Sequence, residues 1–163
     1  MKLYATVCCL LLLAACQPYA PPAEDASAEL RPHIDKILAG WSSLDLSKVA
    51  PYYAKEPGLI FFDVSPFMYK GWKEYEEGFR KAFTQMQSID VKVGHEFSAK
   101  RRGDIAWVVY TINFAGLMKN GEKMDGPGRV TAILEKRGND WVIVHEHVSM
   151  AMPEMPAGPA GKR

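Results

Sequence analysis

Near residue 86 the apolar pattern of this chain changes period, and that change sets what it can fold into. Upstream, Trp72, Tyr75, Phe79, Ala82, Phe83 and Met86 recur every three or four residues, the stripe of an amphipathic helix that starts near Gly71. Downstream, Val91, Val93, His95 and Phe97 alternate with polar residues, the period of a strand. Arg102-Gly103-Asp104 turns the chain. The run from Ile105 to Phe114 is apolar at almost every position and predicts a strand buried on both faces. Asn120-Gly121 marks a hairpin. Gly126-Pro127-Gly128 predicts a bulge or bend in the following strand, which continues through Lys136. Gly138-Asn139-Asp140 turns into a last strand from Trp141 to Met150. Four consecutive strands joined by short turns form an antiparallel meander.

The part before Gly71 is mainly helical. Leu30, Ile34, Ile37, Leu38 and Trp41 share one helical face, with Pro32 tolerable only near the first turn. Asp45 can cap a second, short helix carrying Val49, Tyr52 and Tyr53, which Pro51 limits and Glu56-Pro57-Gly58 ends. Leu59 to Val64 is a strand-like run, and Ser65-Pro66 turns it toward Phe67-Met68-Tyr69. Helices first and a sheet afterwards predict an α+β fold, with N-terminal helices packed on one face of a curved antiparallel sheet.

The ends are different in kind. Lys2 precedes an apolar stretch containing Leu10, Leu11, Leu12 and Leu13, which runs into Ala14-Ala15-Cys16. This stretch is too short to span a bilayer but fits the hydrophobic region of a signal peptide. The tetrapeptide Leu13-Ala14-Ala15-Cys16 resembles the lipobox of bacterial lipoproteins. The resemblance implies a diacylglycerol thioether on Cys16 and cleavage before it; an ordinary secretory signal, with Cys16 incidental, is the alternative. The expected organisation is a signal peptide at 1–15, a lipidated Cys16 with a flexible tether at 16–26, a folded part at 27–152 and a disordered tail at 153–163. Three prolines in QPYAPPAEDA argue for the tether. The expected address is the bacterial cell envelope, with the folded part in the periplasm and a lipid anchor in the membrane. Acyl chains hold at about 0.8 kcal/mol per buried methylene. Cys8 and Cys9 leave with the signal, so the mature chain has no second thiol for a disulfide.

The 20 basic and 19 acidic residues nearly balance, and removing residues 1–15 takes away only Lys2. No basic field favours nucleic acid. No Walker loop, nucleophile elbow, zinc-protease helix or dinucleotide fingerprint is present, so no cofactor is expected.

Several segments resemble SnoaL-like domains of the NTF2-like superfamily. They are Arg129 to Ser149, with Trp141-x-x-x-His145-x-His147-x-Ser149 the most specific piece; Leu44-Asp45-Leu46 through Tyr53-Ala54; Phe61-Phe62-Asp63; and Tyr69-Lys70-Gly71-Trp72. The last strand is also similar to the association domain of calmodulin-dependent kinases. The resemblance implies a conical α+β barrel around a central cavity, often with homodimerisation through the sheet. Members include isomerases, cyclases, dehydratases and proteins without catalysis, so fold does not deliver function.

Within that frame Trp41, Tyr53, Trp72, Phe79 and Tyr110 are candidates to line an apolar cavity around a small-molecule ligand. His145 and His147, two apart in a strand, share a face, here expected to be that of Trp141, Ile143 and Ser149. They can serve as acid/base groups or ligand contacts, or hold the sheet. A metal site would need a third ligand such as His95, and no local cluster supplies one. Glu146, on the opposite face with Val144 and Val148, would have a raised pKa if buried; Arg129 is its natural partner, or an anchor for a ligand carboxylate. Asp63, after two phenylalanines, is a candidate base, or else bonds the turn at Ser65. Asp63, His145 and Glu146 are therefore the candidate catalytic residues. Ligand binding without turnover and acid–base catalysis both stand open, as does an oligomeric interaction module.

Overall fold

The computed structural model describes residues 21–151. The expected signal peptide, Cys16 and the expected tail from 153 lie outside the described residues. Among the described residues no helix is long and apolar enough to cross a membrane.

The chain begins with β1 (Glu24–Asp25) and α1 (Ser27–Ser42), followed by two 3-10 turns, Leu46–Lys48 and Ala50–Tyr52. Next come β2 (Ile60–Phe62), β3 (Met68–Lys70) and α2 (Gly71–Gln85). Four long strands complete it: β4 (Met86–Arg102), β5 (Ile105–Met118), β6 (Lys123–Arg137) and β7 (Asp140–Met150). The sheet order is β1-β4-β5-β6-β7-β2-β3. The change of period at Met86 is the junction of α2 and β4. The four-strand meander is present, but the sheet is mixed, because β2 lies parallel to β7, pairing Phe61 with Glu146 and Phe62 with His147.

Three local departures have physical causes. Glu24–Asp25, within the expected tether, pairs with Arg101 and Lys100 of β4. Ion pairs Arg101–Glu24 at 2.8 Å and Lys100–Asp25 at 2.9 Å accompany it. Asp25 also accepts from the Ser27 N–H at the start of α1. The second expected helix is a pair of 3-10 turns, the first capped by the Asp45 side chain on Ser47 N–H, with Pro51 in the second. The predicted interruption at Gly126-Pro127-Gly128 does not occur: pairing runs unbroken from Phe114↔Gly126 to Ile112↔Gly128.

α1 buries Leu30, Ile34, Ile37, Leu38 and Trp41 against β4. Extra residues in β4 between Val93 and Phe97 bend the strand, so the sheet curls around the helices and leaves a concave inner face. The inward positions of β5 and β6 include Ala106, Val108, Tyr110, Ile112, Val130, Ala132 and Leu134, all buried. The outward face of β5 is not covered, contrary to the expectation of burial on both sides: Ile105 is 44% and Val109 43% exposed.

β7 carries a bulge that decides the site. Ile133 pairs with His145 but Leu134 pairs with Ile143, which leaves Val144 as an extra residue. A bulge inverts the alternation beyond it. Trp141 and Ile143 face inward before the bulge, and Glu146 faces inward after it. His145 and His147 therefore do not share the face of Trp141 and Ile143, as simple alternation predicted.

Candidate functional site

Between α1, α2 and the concave sheet lies a cavity of about 370 Å³. α1 contributes Leu38 and Trp41; α2 contributes Tyr75, Phe79, Ala82 and Phe83; and the sheet contributes Tyr110, Ile112, Phe114, Val130 and Val148. Met86, Met118, Met124 and Met150, from four different strands, line one end. That end reaches solvent, since Met124 is exposed. Gly128 faces inward, and its missing side chain makes way for two cavity-lining neighbours: a Cβ on it would sit 2.9 Å from Ile112 Cγ1 and 3.0 Å from Met150 Sδ. The Gly-Pro-Gly segment thus makes room and does not bend the strand.

Glu146 lies at the deeper end and is 4% exposed. Its Oε2 accepts hydrogen bonds from the Tyr53 hydroxyl at 2.9 Å and the Tyr75 hydroxyl at 3.0 Å. Trp41 Nε1 donates to the Tyr53 oxygen at 3.3 Å, so Tyr53, just after the second 3-10 turn and supported from α1, and Tyr75 of α2 together fix the carboxyl. Both of these described tyrosine hydrogen bonds end on Oε2 and none reaches Oε1, and Glu146 lines the cavity. Burial pushes the Glu146 carboxyl up to about 7, against the two tyrosine hydrogen bonds, which hold it down, with nearby Asp63 adding to the rise. The same burial raises the phenols of Tyr53, Tyr75 and Tyr110 well above their ordinary value, keeping them neutral donors. Asp63, just past the end of β2, lines the same cavity. Burial pushes it up to about 6, opposed by a hydrogen bond from Val64 N–H. Its Oδ1 accepts from Val64 N–H, not from Ser65.

The structure divides the sequence candidates. Trp41, Asp63, Phe79, Tyr110 and Glu146 meet at the cavity. Tyr53 stands behind Glu146 as a donor. Trp72 packs on Tyr53 with ring centres 5.2 Å apart and carries Lys55 Nζ on its other surroundings, 3.4 Å from its ring centre. Arg129 is exposed on the outer face of β6, opposite Ser149. It is not the partner of Glu146; the two tyrosines are. His145 and His147 also lie on the outer face, both edge-on to Phe62. His145 Nδ1 is 2.8 Å from the Ile60 carbonyl oxygen, a contact that ties β2 to β7. His95 is exposed in the irregular part of β4, across β5 and β6 from β7. Among the described residues no group of three or more His, Cys, Asp or Glu side chains is placed to hold a metal. The residue that sequence reasoning missed is Tyr75, seen only as part of an apolar stripe. Its hydroxyl gave no local signal, because its partner lies in the last strand.

An antiparallel meander wrapped around helices, with a cavity under α2, defines an NTF2-like fold. A family model described as SnoaL-like domain matches residues 31–153, and the chain belongs to that family. An NTF2-like superfamily protein from Salmonella enterica serovar Typhimurium LT2 superposes with a TM-score of 0.70 at 18% identity, covering 85% of this chain and 97% of that one. A Xanthomonas campestris protein, named provisionally as a calcium/calmodulin-dependent protein kinase II association domain, gives 0.65 at 26% identity, covering 78% and 88%. A Novosphingobium aromaticivorans protein, named provisionally as a scytalone dehydratase, gives 0.64 at 14% identity, covering 84% and 93%. These likenesses carry the fold. Among curated proteins, none matches this chain.

Proposed function

We propose that this protein binds a small, largely apolar molecule in its central cavity, with one polar end on Glu146. The observation that carries this reading is a cavity of about 370 Å³ with largely apolar walls, at which Glu146 is held by two tyrosine hydroxyls on Oε2 while Oε1 receives no described hydrogen bond. Cavities of this kind and size suit small ligands, the apolar wall giving affinity and the few polar groups giving orientation. A thermal-shift screen of small aromatic and alicyclic alcohols, ketones and amines is expected to find compounds that raise Tm in proportion to log concentration. Gly128→Val, whose side chain would collide with Ile112 and Met150 and push these lining residues into the cavity, is expected to weaken these compounds at least tenfold while costing about 1–3 kcal/mol of stability. Stabilisers that ignore Gly128→Val would place the binding elsewhere.

A second reading is acid–base catalysis in the same cavity. It is favoured by two carboxyls, Glu146 near 7 and Asp63 near 6, since proton transfer at neutral pH works best with groups of matching pKa. Loss of an identified turnover in both Glu146→Gln and Asp63→Asn, with ligand binding retained, would establish it; turnover surviving both would end it.

We further propose that the cavity is held at a membrane surface by a lipid on Cys16; the lipobox-like Leu13-Ala14-Ala15-Cys16 supports this. Cells fed a labelled fatty acid are expected to label the wild-type chain and not Cys16→Ser; label on the variant would refute the anchor. The outer sheet face, with Ile105, Val109 and Ile133 exposed, suits a second copy of the chain. Sedimentation at micromolar concentration is expected to give a dimer, and a strict monomer would refute it.

A further inference from the structure

We infer that the ligand of this cavity is a hydrophobic organic cation, a protonated amine whose ammonium group sits between Glu146 and Asp63 and whose carbon skeleton lies against the aromatic walls. This deepens the cavity-binding reading above and rests on it. Two carboxylates line the cavity, and among the described residues no lysine, arginine or histidine does. An anionic ligand would meet only repulsion from the ionised carboxyls, and a neutral one would bring no counter-charge and leave burial to hold them toward their protonated forms; a cation is the ligand class that both carboxyls attract.

The hydrogen bonding of Glu146 has the same sense. Tyr53 and Tyr75 both donate to Oε2, an arrangement that favours the ionised carboxyl and leaves Oε1, on a residue that lines the cavity, without a protein donor. The walls supply the rest of a cation site. Trp41, Tyr75, Phe79 and Tyr110 all line the cavity, and ring faces attract cations, more strongly when water is excluded. An ammonium group there would supply the missing positive charge and draw both carboxyls toward their ionised forms. The groups facing Glu146 are Tyr53, Tyr75, Tyr110 and Asp63, none of them cationic. Binding near pH 7 therefore releases protons from the two carboxyls, with no protein cation to offset the release.

The test is calorimetric titration of the full chain at pH 7 with 4-phenylbutylamine, 4-phenylbutanol and 4-phenylbutyrate, each in two buffers of different ionisation enthalpy. The amine is expected to bind about tenfold tighter than the alcohol, the increment of a charge-assisted hydrogen bond, and to release a fraction of a proton. The carboxylate is expected to bind weakest. Glu146→Gln is expected to bring the ratio of amine to alcohol affinity down from about tenfold to within about threefold, whatever it does to the two affinities in common; Asp63→Asn is expected to lower that ratio by a smaller part. An alcohol that binds as tightly as the amine, or an amine that releases no proton, overturns the cation inference while the cavity reading stands. Failure of all three probes to bind at millimolar concentration overturns both. The probe comparison on the wild-type chain holds even if a variant does not fold.

Discussion

Glu146→Gln is expected to alter the pH dependence of stability more than any other single change. The Glu146 carboxyl is raised from an ordinary 4.5 to about 7 in the folded chain, so between these values the folded state holds a proton that the unfolded state has lost. Stability from this group is therefore greatest below about 4.5 and is lost as pH rises through 7. The linkage amounts to about 3 kcal/mol. Asp63 acts in the same direction between its ordinary 3.8 and about 6. His33 acts oppositely. Burial lowers its pKa below the ordinary 6.5, so its contribution is full above 6.5 and is lost as pH falls below that value. Because these trends overlap, the informative quantity is the difference between variant and wild type. Urea unfolding from pH 4.5 to 8 is expected to show Glu146→Gln gaining about 3 kcal/mol relative to wild type across that window. A constant difference would mean that Glu146 titrates normally and is not enclosed as described.

Trp41→Ala is expected to cost about 3–5 kcal/mol. Trp41 meets Tyr53, Tyr75, Phe79 and Phe83, with ring centres 6.0, 5.8, 4.4 and 6.0 Å away. Its indole N–H also supports Tyr53 behind Glu146. Removing it joins the space it filled to the existing cavity and loosens the carboxyl. A loss of that size is a large share of the 5–15 kcal/mol typical of folded chains. Urea midpoints should show it directly. Trp41→Phe, which keeps most ring contacts but not the N–H, is expected to lose less stability. A Trp41→Ala variant within about 1 kcal/mol of wild type would contradict the packing described.

Much of this architecture is legible in the chain because local signals and tertiary packing agree. The stripe from Trp72 to Phe83 is α2; Asn120-Gly121 joins β5 to β6; and Ser65-Pro66 lies between β2 and β3. What stayed hidden depends on distant contacts or on backbone detail without a residue signature. The bulge at Val144 has no glycine or proline to mark it, yet it turns Glu146 and not the histidines toward the cavity. The pairing of Glu146 with Arg129 followed from charge alone. The observed donors, Tyr53 and Tyr75, come from the opposite layer and read locally as core aromatics. The parallel contact of β2 with β7 is equally non-local, with nothing in Leu59 to Val64 naming its neighbour. Gly126-Pro127-Gly128 carried a signal that was read as backbone geometry, whereas at Gly128 it concerns the missing side chain.

The cavity itself can be watched through its methionines. Met86, Met118, Met124 and Met150 line it, and Met68 does not. In the full chain labelled with 13C at the methionine methyls, titration with 4-phenylbutylamine or 4-phenylbutanol is expected to shift the first four signals together and leave Met68 unchanged. Gly128→Val should suppress those shifts. Saturable binding that leaves the four cavity methyls unmoved, or that moves Met68 as much as the others, would contradict the assignment of this cavity as the ligand site.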